Sequence, residues 1–207
     1  MSQKINTTEK GSAFELRVFN LIKSLILKGE FIVSSNGSEV FHKKPYYSEK
    51  RKSDIIFDIA IECRRTPEKE PFLYILIECK DYGKTIPVDD MEEFYQKMDQ
   101  VTGKNVKGVF FSTNSFARGT LEFAKSSGIA VVRILDDDAL NWIIERPSPY
   151  LKTTSENAIV LNAFNAITEE NFVSTRQSFF ALDTSQPFGD METLIKTILQ
   201  KAPETSE

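Results

Sequence analysis

The sequence contains little of what several classes of protein require. Only two cysteines, Cys63 and Cys79, and one histidine, His42, occur in 207 residues, which excludes a disulfide scaffold and a zinc site built from cysteines or histidines. Glycine (9) and proline (8) are too sparse for a collagen-like or low-complexity chain. Since the sequence has no run of about 18 apolar residues and begins with a polar segment, we expect a cytoplasmic protein without a membrane span.

What is present is enough apolar sequence for a packed core. Hydrophobic residues make up 41% and charged residues 27%, and the length allows one ordinary domain plus an appendage. The net charge of −4 arises after Pro147, where eight acidic residues stand against four basic ones. The composition changes there as well, so we predict one domain over residues 1–147 and a C-terminal extension over residues 148–207. The extension contains an amphipathic helix over Asp190–Lys201 and is a candidate for forming a homodimer or for binding a partner protein.

The hydrophobic patterns predict a mixed α/β fold. A first helix is expected to begin near Ser12, which has capping-box spacing to Glu15, and to end at Gly29. Two strong strands, Asp54–Cys63 and Phe72–Lys80, follow, and the second is apolar enough to be covered on both faces. The other predicted elements are short strands at 31–33 and 40–41, a helix capped by Asp89, helices over 116–125 and 139–145, and strands over 106–111 and 129–135. This order predicts a mixed central sheet flanked by helices, with a small C-terminal appendage.

Three charged residues occupy positions that a plain core strand would avoid. Asp58 interrupts an apolar run, where an unpaired carboxylate is costly, and Glu78 and Lys80 share one face at the end of the next strand. If the two strands are neighbours, Asp58 and Glu78 converge and are able to bind a hard cation such as Mg²⁺. Lys80 would then orient a water, help to deprotonate it or offset charge on a phosphate. The pattern therefore predicts metal-assisted hydrolysis of a phosphodiester.

Structural alternatives exist for each of these residues. Glu78 and Lys80 would form a surface salt bridge worth about 0–1 kcal/mol, and Asp58 would satisfy a backbone group or pair with Arg51. Asp54 is a second candidate for the strand aspartate. The remaining candidates are interpreted as structural: Glu15 as a helix cap, Glu62 as a partner of Arg64 or Arg65, His42 as a surface residue, Lys97 as a surface partner of Glu93, and both cysteines as buried thiols.

A basic strip runs from His42 to Lys52, with five basic residues against one acid. This local charge of +4 on a domain that is otherwise neutral is compatible with a polyanion partner. It is equally compatible with a solvated loop, and on charge alone the solvated loop is the preferred interpretation. Under the polyanion interpretation, the strip residues predicted to contact nucleic-acid phosphates are Lys43, Lys44, Arg51 and Lys52.

Five short motifs occur in the order expected for one known family. They are Gly11-x-x-Phe14-Glu15, Phe57-Asp58-Ile59-x-Ile61-Glu62, Ile77-Glu78-Cys79-Lys80-Asp81-Tyr82, Glu93-Phe94-x-x-Lys97-x-x-Gln100 and Gly108-Val109-x-x-Ser112. Together they resemble the Mrr-type restriction endonuclease domain of the PD-(D/E)XK nuclease superfamily. The resemblance implies a restriction-endonuclease-like fold, with Asp58 as the motif aspartate and Glu78 and Lys80 as the acid and lysine pair. It also implies that Gln100, on the following helix, contacts nucleic acid.

The function implied by this resemblance is that of a Mg²⁺-dependent DNA endonuclease, with Mn²⁺ able to substitute, in restriction or defence against foreign DNA. Glu78 stands where many members carry glutamine, which leaves the acid and lysine pair in its fully metal-binding form. An alternative of another class is a nuclease-fold module that binds nucleic acid or a protein without cutting. The retention of Asp58, Glu78 and Lys80 together favours the enzyme.

Overall fold

The computed structural model describes residues 7–28, 37–64, 68–101, 105–135 and 164–170, and beyond them residues 172, 179–182, 187–188, 194 and 197. The helices are α1 Thr7–Leu27, α2 Val88–Met98 and α3 Arg118–Ser126, and residues 164–168 form a further short helical segment. The strands are β1 Ser38–Ser48, β2 Ser53–Cys63, β3 Leu73–Lys80, β4 Val106–Ser112, β5 Ile129–Ile134, β6 Phe179–Leu182 and β7 Pro187–Phe188. The predicted strand at 31–33, the predicted helix at 139–145, most of the helix at 190–201 and the boundary after residue 147 lie outside the described residues.

The strands form one mixed sheet in the order β1-β2-β3-β4-β5-β6-β7. The first three strands pair antiparallel, β3, β4 and β5 pair parallel, and β5, β6 and β7 pair antiparallel. Parallel neighbours need a crossover connection, and α2 and α3 provide it between β3, β4 and β5. The predicted mixed central sheet flanked by helices is confirmed.

Helices cover both faces of this sheet. One face packs against α1 through residues that include Phe14, Val18 and Leu21, and the opposite face packs against α2 and α3 through residues that include Phe94 and Leu121. Every residue of β3 except its last is buried, because its alternating side chains enter the two cores in turn. This confirms the prediction, made from its apolar run, that β3 is covered on both sides.

The helices begin at other residues than the sequence predicted. Helix α1 starts at Thr7, so Ser12 lies inside it and does not form a capping box. Residues 9–13 of this helix are largely exposed, and a pattern of buried apolar residues therefore does not indicate its first turns. Helix α2 starts at Val88, after Pro87, without a side-chain cap. Helix α3 starts at Arg118.

The basic strip is not a loop. The short strand predicted at 40–41 is an eleven-residue strand, β1, and the strip forms its second half and the turn into β2. Strands β1 and β2 pair from Ser38 opposite Cys63 to Ser48 opposite Ser53. The interpretation as a solvated loop is wrong because alternate residues of this segment, Tyr46 and Ser48, are buried.

Described residues beyond position 147 extend the same sheet. Strand β6 pairs with β5, and the backbone N–H of Phe116 donates to the carbonyl oxygen of Ile167 at 2.9 Å. The buried Arg133 guanidinium donates to the carbonyl oxygens of Ala166 at 2.7 Å and Glu169 at 2.6 Å. These contacts attach part of the C-terminal segment to the first part of the chain. That residues 148–207 form a homodimer or bind a partner protein stays a prediction.

Candidate active site

Asp58 and Glu78 lie where β2 and β3 separate. The pairing of these strands runs from Cys63 opposite Leu73 to Ile59 opposite Ile77 and ends there, so Asp58 and Glu78 are the next residue on each strand. The backbone N–H of Cys79 donates to Asp58 Oδ2 at 2.8 Å. A side chain thus takes the place of the sheet pairing and fixes the Asp58 carboxylate beside Glu78.

Strand β1 is irregular opposite the same aspartate. His42 pairs with Ile59 and Lys44 with Phe57, which places Lys43 opposite Asp58. Lys43 has a φ of 54°, a conformation that is uncommon for residues other than glycine. Strained backbone of this kind concentrates at functional sites, so the irregularity marks this point of the sheet as a candidate site.

Glu78 is a buried carboxylate held by two lysines. It is 5% exposed, and its Oε1 lies 3.4 Å from Lys80 Nζ. Lys97 Nζ on α2 lies 3.2 Å from Oε1 and 3.3 Å from Oε2 of the same carboxylate. Glu78 and Lys80 are therefore more than a surface salt bridge.

Lys97 is a member of the site that the sequence analysis missed. It does approach the exposed Glu93, at 3.8 Å, but its contacts to buried Glu78 are shorter. The signal was present, since Lys97 stands between Phe94 and Met98, which mark the buried stripe of α2. A residue in that position points along the flank of the helix toward the sheet.

Glu15 also belongs to the site and is not a helix cap. Because α1 begins at Thr7, Glu15 lies in its interior, with Oε2 2.9 Å from Lys43 Nζ and 3.6 Å from His42 Nε2. Its charge reaches Asp58, whose pKa it helps to raise. We call the complete set the carboxylate–lysine cluster: Glu15, Asp58, Glu78, Lys43, Lys80 and Lys97.

Burial and neighbouring charges perturb the pKa values of three members of this cluster. The hydrogen bond from Lys43 to Glu15, together with the charges of Glu15 and Asp58, raises the pKa of Lys43 against the effect of burial. Burial raises the pKa of Asp58 to about 6, with further contributions from Glu78 and Glu15, against the Cys79 N–H and Lys97. Burial lowers the pKa of Lys80, but the Glu78 carboxylate and other negative groups outweigh it, so the net pKa is raised. Within the described part of the chain, Asp58 is the one carboxylate of the cluster without an ion pair.

The donor atoms of Asp58 and Glu78 fit a hard cation. Mg²⁺ prefers oxygen ligands, keeps several waters and is usually held by one or two carboxylates. The described residues contain no cluster of three or more histidine, cysteine, aspartate or glutamate side chains arranged for a metal, so two carboxylates are the protein ligands available. Asp58 is desolvated and has no ion pair among the described residues. It is therefore the carboxylate of the cluster whose charge a bound cation would stabilise most.

Lys44 is occupied by a buried glutamate. Its Nζ lies 2.6 Å from Glu62 Oε1, which also accepts a hydrogen bond from the Tyr46 hydroxyl at 2.9 Å. Arg64 contacts the other oxygen of Glu62, as the structural interpretation of Glu62 predicted. Burial alone would raise the pKa of Glu62, but the hydrogen bonds from Lys44 and Tyr46 lower it below its ordinary value. Lys44 therefore serves the fold at this position.

Gln100 is likewise engaged within the chain. It is buried, its Oε1 accepts a hydrogen bond from Ser48 Oγ at 3.0 Å, and its Nε2 donates to the carbonyl oxygen of Gln96 at 2.8 Å. This placement gives no support to Gln100 as a nucleic-acid contact. It instead joins the end of β1 to the end of α2.

The other predicted residues lie outside the cluster. Arg51 and Lys52 are exposed in the turn between β1 and β2, where Lys52 Nζ lies 2.7 Å from Glu49 Oε2. Asp54 is exposed at the start of β2. Cys63 and Cys79 are free and buried, as predicted.

The sheet and the position of the acid and lysine pair define a restriction-endonuclease-like nuclease fold. A family model described as a restriction endonuclease, Mrr_cat, matches residues 37–144, which is more than half of the chain. The chain therefore belongs to the Mrr-type restriction endonuclease family. This match contains β1 to β5 and the Asp58, Glu78 and Lys80 positions.

Other comparisons add little to this assignment. No curated protein matches the chain. The crystal structure of a protein of unknown function, AF1548, is similar with a TM-score of 0.41 and 16% sequence identity, over 61% of this chain and 57% of that one. This chain thus matches less than two thirds of the length of that protein. Separately, none of the described helices combines the length and apolar character needed to cross a membrane.

Proposed function

We propose that the protein is a Mg²⁺-dependent DNA endonuclease that acts in the cytoplasm, in restriction or in defence against foreign DNA. The observation that carries this proposal is the position of Asp58 and Glu78 at the separation of β2 and β3, with Lys80 Nζ 3.4 Å from Glu78. Two carboxylates and an ammonium group at one point are the groups that metal-assisted phosphodiester hydrolysis requires.

Asp58 and Glu78 would hold the Mg²⁺, for which Mn²⁺ would substitute. When bound, the ion lowers the pKa of a water and polarises the phosphate. The Cys79 N–H keeps the Asp58 carboxylate oriented. The raised pKa of Lys80 keeps its ammonium group protonated near neutral pH, which suits it to bind a phosphate oxygen and to offset the charge that develops there.

Glu78 already has two cationic partners, so a metal ion must compete with them. Lys97 contacts both carboxylate oxygens of Glu78 and also lowers the pKa of Asp58. We assign Lys97 the role of a counter-ion that stabilises the cluster in the absence of metal. Removal of Lys97 should accordingly favour metal binding at a pH where Asp58 is ionised.

Lys43, Arg51 and Lys52 are the proposed phosphate contacts. Lys43 adjoins Asp58 through the irregular part of β1, and Arg51 and Lys52 lie at the exposed end of the same hairpin. They form a basic path that leads away from the site along one hairpin. Lys44 is omitted from this set because Glu62 holds it.

The test is nicking of supercoiled plasmid DNA with Mg²⁺ and with EDTA. We expect Mg²⁺-dependent nicking by the wild type and none by Asp58→Asn, while Asp54→Asn, the same change at an exposed position of the same strand, retains it. Single-stranded DNA and RNA should be included as substrates. A folded wild type that binds DNA but cuts no substrate with Mg²⁺ or Mn²⁺ would refute the proposal and favour the non-cutting module.

A further inference from the structure

The outer face of the β1–β2 hairpin exposes apolar side chains. Tyr47 is 56% exposed and Ile56 is 55% exposed, and Pro45, opposite Ile56 in the strand pairing, is exposed as well. Alternate residues such as Tyr46 and Phe57 face the other way, into the core beneath α2. We call the outer face formed by Pro45, Tyr47 and Ile56 the hairpin platform.

This platform exists because the hairpin is longer than its neighbour. Strands β1 and β2 remain paired as far as Ser48 opposite Ser53, whereas β2 and β3 pair only as far as Ile59 opposite Ile77. The end of the hairpin is nonetheless fixed, since Lys50 contacts Asp99 at 2.6 Å and Ser48 contacts Gln100 at 3.0 Å at the end of α2. The platform is therefore a highly exposed surface whose end is attached to α2.

The platform is continuous with the candidate active site. Ile56 precedes Asp58 by two residues, a distance of about 7 Å along a strand. Pro45 follows Lys43 by two residues, and Lys43 lies opposite Asp58 in the register. A strand of nucleic acid whose phosphodiester lies at Asp58 would thus have neighbouring nucleotides within reach of the platform.

The charges around the platform favour nucleic acid as its occupant. Segment 42–52 has five basic residues and one acid, and Arg51 and Lys52 are exposed at its end. A second copy of the chain docked symmetrically on this face would bring two such basic segments together. Nucleic acid would bring phosphates to the basic residues and the faces of its bases to the aromatic ring.

We infer that the hairpin platform binds unpaired bases of the substrate strand, with Tyr47 stacking on one of them. An aromatic side chain recognises the face of a base, which is accessible in a single strand, an end or a bubble and is covered in a regular duplex. This inference rests on the proposed function and specifies its substrate class as DNA that is single-stranded or locally unpaired near the scissile bond.

The test is fluorescence anisotropy in EDTA, with a labelled single-stranded oligonucleotide and the corresponding duplex. Loss of one stacking contact lowers affinity by about 5- to 160-fold, so we expect Tyr47→Ala to weaken single-strand binding to this extent and Tyr47→Phe to retain it. Duplex binding should change less than about twofold. Phe164→Ala is the matched control, since Phe164 is an aromatic residue of similar exposure, 49%, at another place in the chain.

The outcomes separate this inference from the proposed function. Unchanged single-strand affinity in Tyr47→Ala, or equal losses for single strand and duplex, would overturn the platform. The inference would also be overturned if sedimentation showed the wild type to be a dimer and Tyr47→Ala dissociated this dimer without weakening DNA binding. If the wild type binds single strands through Tyr47 but cuts no substrate with Mg²⁺ or Mn²⁺, the endonuclease proposal fails and the platform stands.

Discussion

Replacement of Asp58 by asparagine should stabilise the metal-free protein at pH 8. The folded structure raises the pKa of Asp58 from 3.8 to about 6, first through burial and then through Glu78. That difference corresponds to about 3 kcal/mol of preference for the neutral carboxyl in the folded state. Asparagine has a similar shape, is neutral at every pH and keeps an oxygen that can accept the hydrogen bond from the Cys79 N–H.

The expected gain is smaller than this upper limit. A neutral amide accepts the Cys79 hydrogen bond less strongly than a carboxylate does, by about 1 kcal/mol, and Asp58 is partly exposed, so solvent screens its charge. We therefore expect Asp58→Asn to raise the free energy of unfolding by about 1–2 kcal/mol at pH 8, or the Tm by about 3–6 °C.

The pH dependence of this gain follows from the direction of the pKa shift. A raised folded-state pKa means that the folded protein binds the proton of Asp58 more tightly, so the stabilisation is present below about pH 4 and is lost as the pH rises through about 6. Asparagine mimics the protonated acid, and the difference between variant and wild type should therefore be near zero at pH 4 and largest above pH 7.

Thermal and urea unfolding at several pH values, in EDTA and in Mg²⁺, will check this prediction. Mg²⁺ at about 100 times its Kd would stabilise the wild type by about 2.7 kcal/mol and should stabilise Asp58→Asn much less. Asp54→Asn, at an exposed position, should stay within about 0.5 kcal/mol of the wild type. A less stable Asp58→Asn at pH 8 would show that the fold favours the ionised carboxylate, contrary to the electrostatic argument.

Four further predictions concern single positions. Lys80→Ala should leave DNA binding intact and slow Mg²⁺-dependent nicking about 10²- to 10³-fold, whereas Lys84→Ala should nick at the wild-type rate. Arg51→Glu should lower the slope of log affinity against log salt by about 0.9; an unchanged slope would remove Arg51 from the interface. Lys97→Met should raise the pKa of Asp58 further and move the pH at which Mg²⁺ begins to stabilise the protein upward, as measured by thermal unfolding. Gly108→Ala should destabilise the fold by about 1–3 kcal/mol in urea unfolding, because the added Cβ would lie 2.5 Å from Met98 Sδ and 3.1 Å from Phe94 Cε1; wild-type stability would show that these side chains move aside freely.

The sequence alone was sufficient to predict the elements whose hydrophobic patterns arise from burial. Strand β3 was predicted from its apolar run, and the prediction was accurate because both faces of that strand are covered. Asp58 and Glu78 were predicted to converge because each breaks an apolar pattern at a place where a charge needs compensation. Burial periodicity therefore indicates the strands of the site as well as those of the core.

What the sequence did not reveal depends on contacts between distant elements. Glu15, on α1, and Lys97, on α2, are 63 and 19 positions away from Glu78 along the chain. No local sequence pattern links residues at such separations. The start of α1 at Thr7 was not predicted either, since residues 9–13 of this helix are largely exposed and contribute no apolar pattern. Short-range spacing is also ambiguous, because the capping-box spacing of Ser12 and Glu15 occurs inside a helix.

The distribution of counter-ions explains how this cluster can remain folded without a metal and still bind one. Two lysines neutralise Glu78 and Lys43 neutralises Glu15, and removal of one partner from a buried ion pair commonly destabilises a protein by about 3–5 kcal/mol. If Asp58 also had a lysine partner, a divalent cation would have to displace a counter-ion from every carboxylate. Because the Cys79 N–H is the one hydrogen-bond partner of Asp58 among the described residues, and none of their ammonium groups forms an ion pair with it, it offers the cation an unoccupied ligand. The instability of ionised Asp58 and the capacity of the site for a metal thus have the same physical origin.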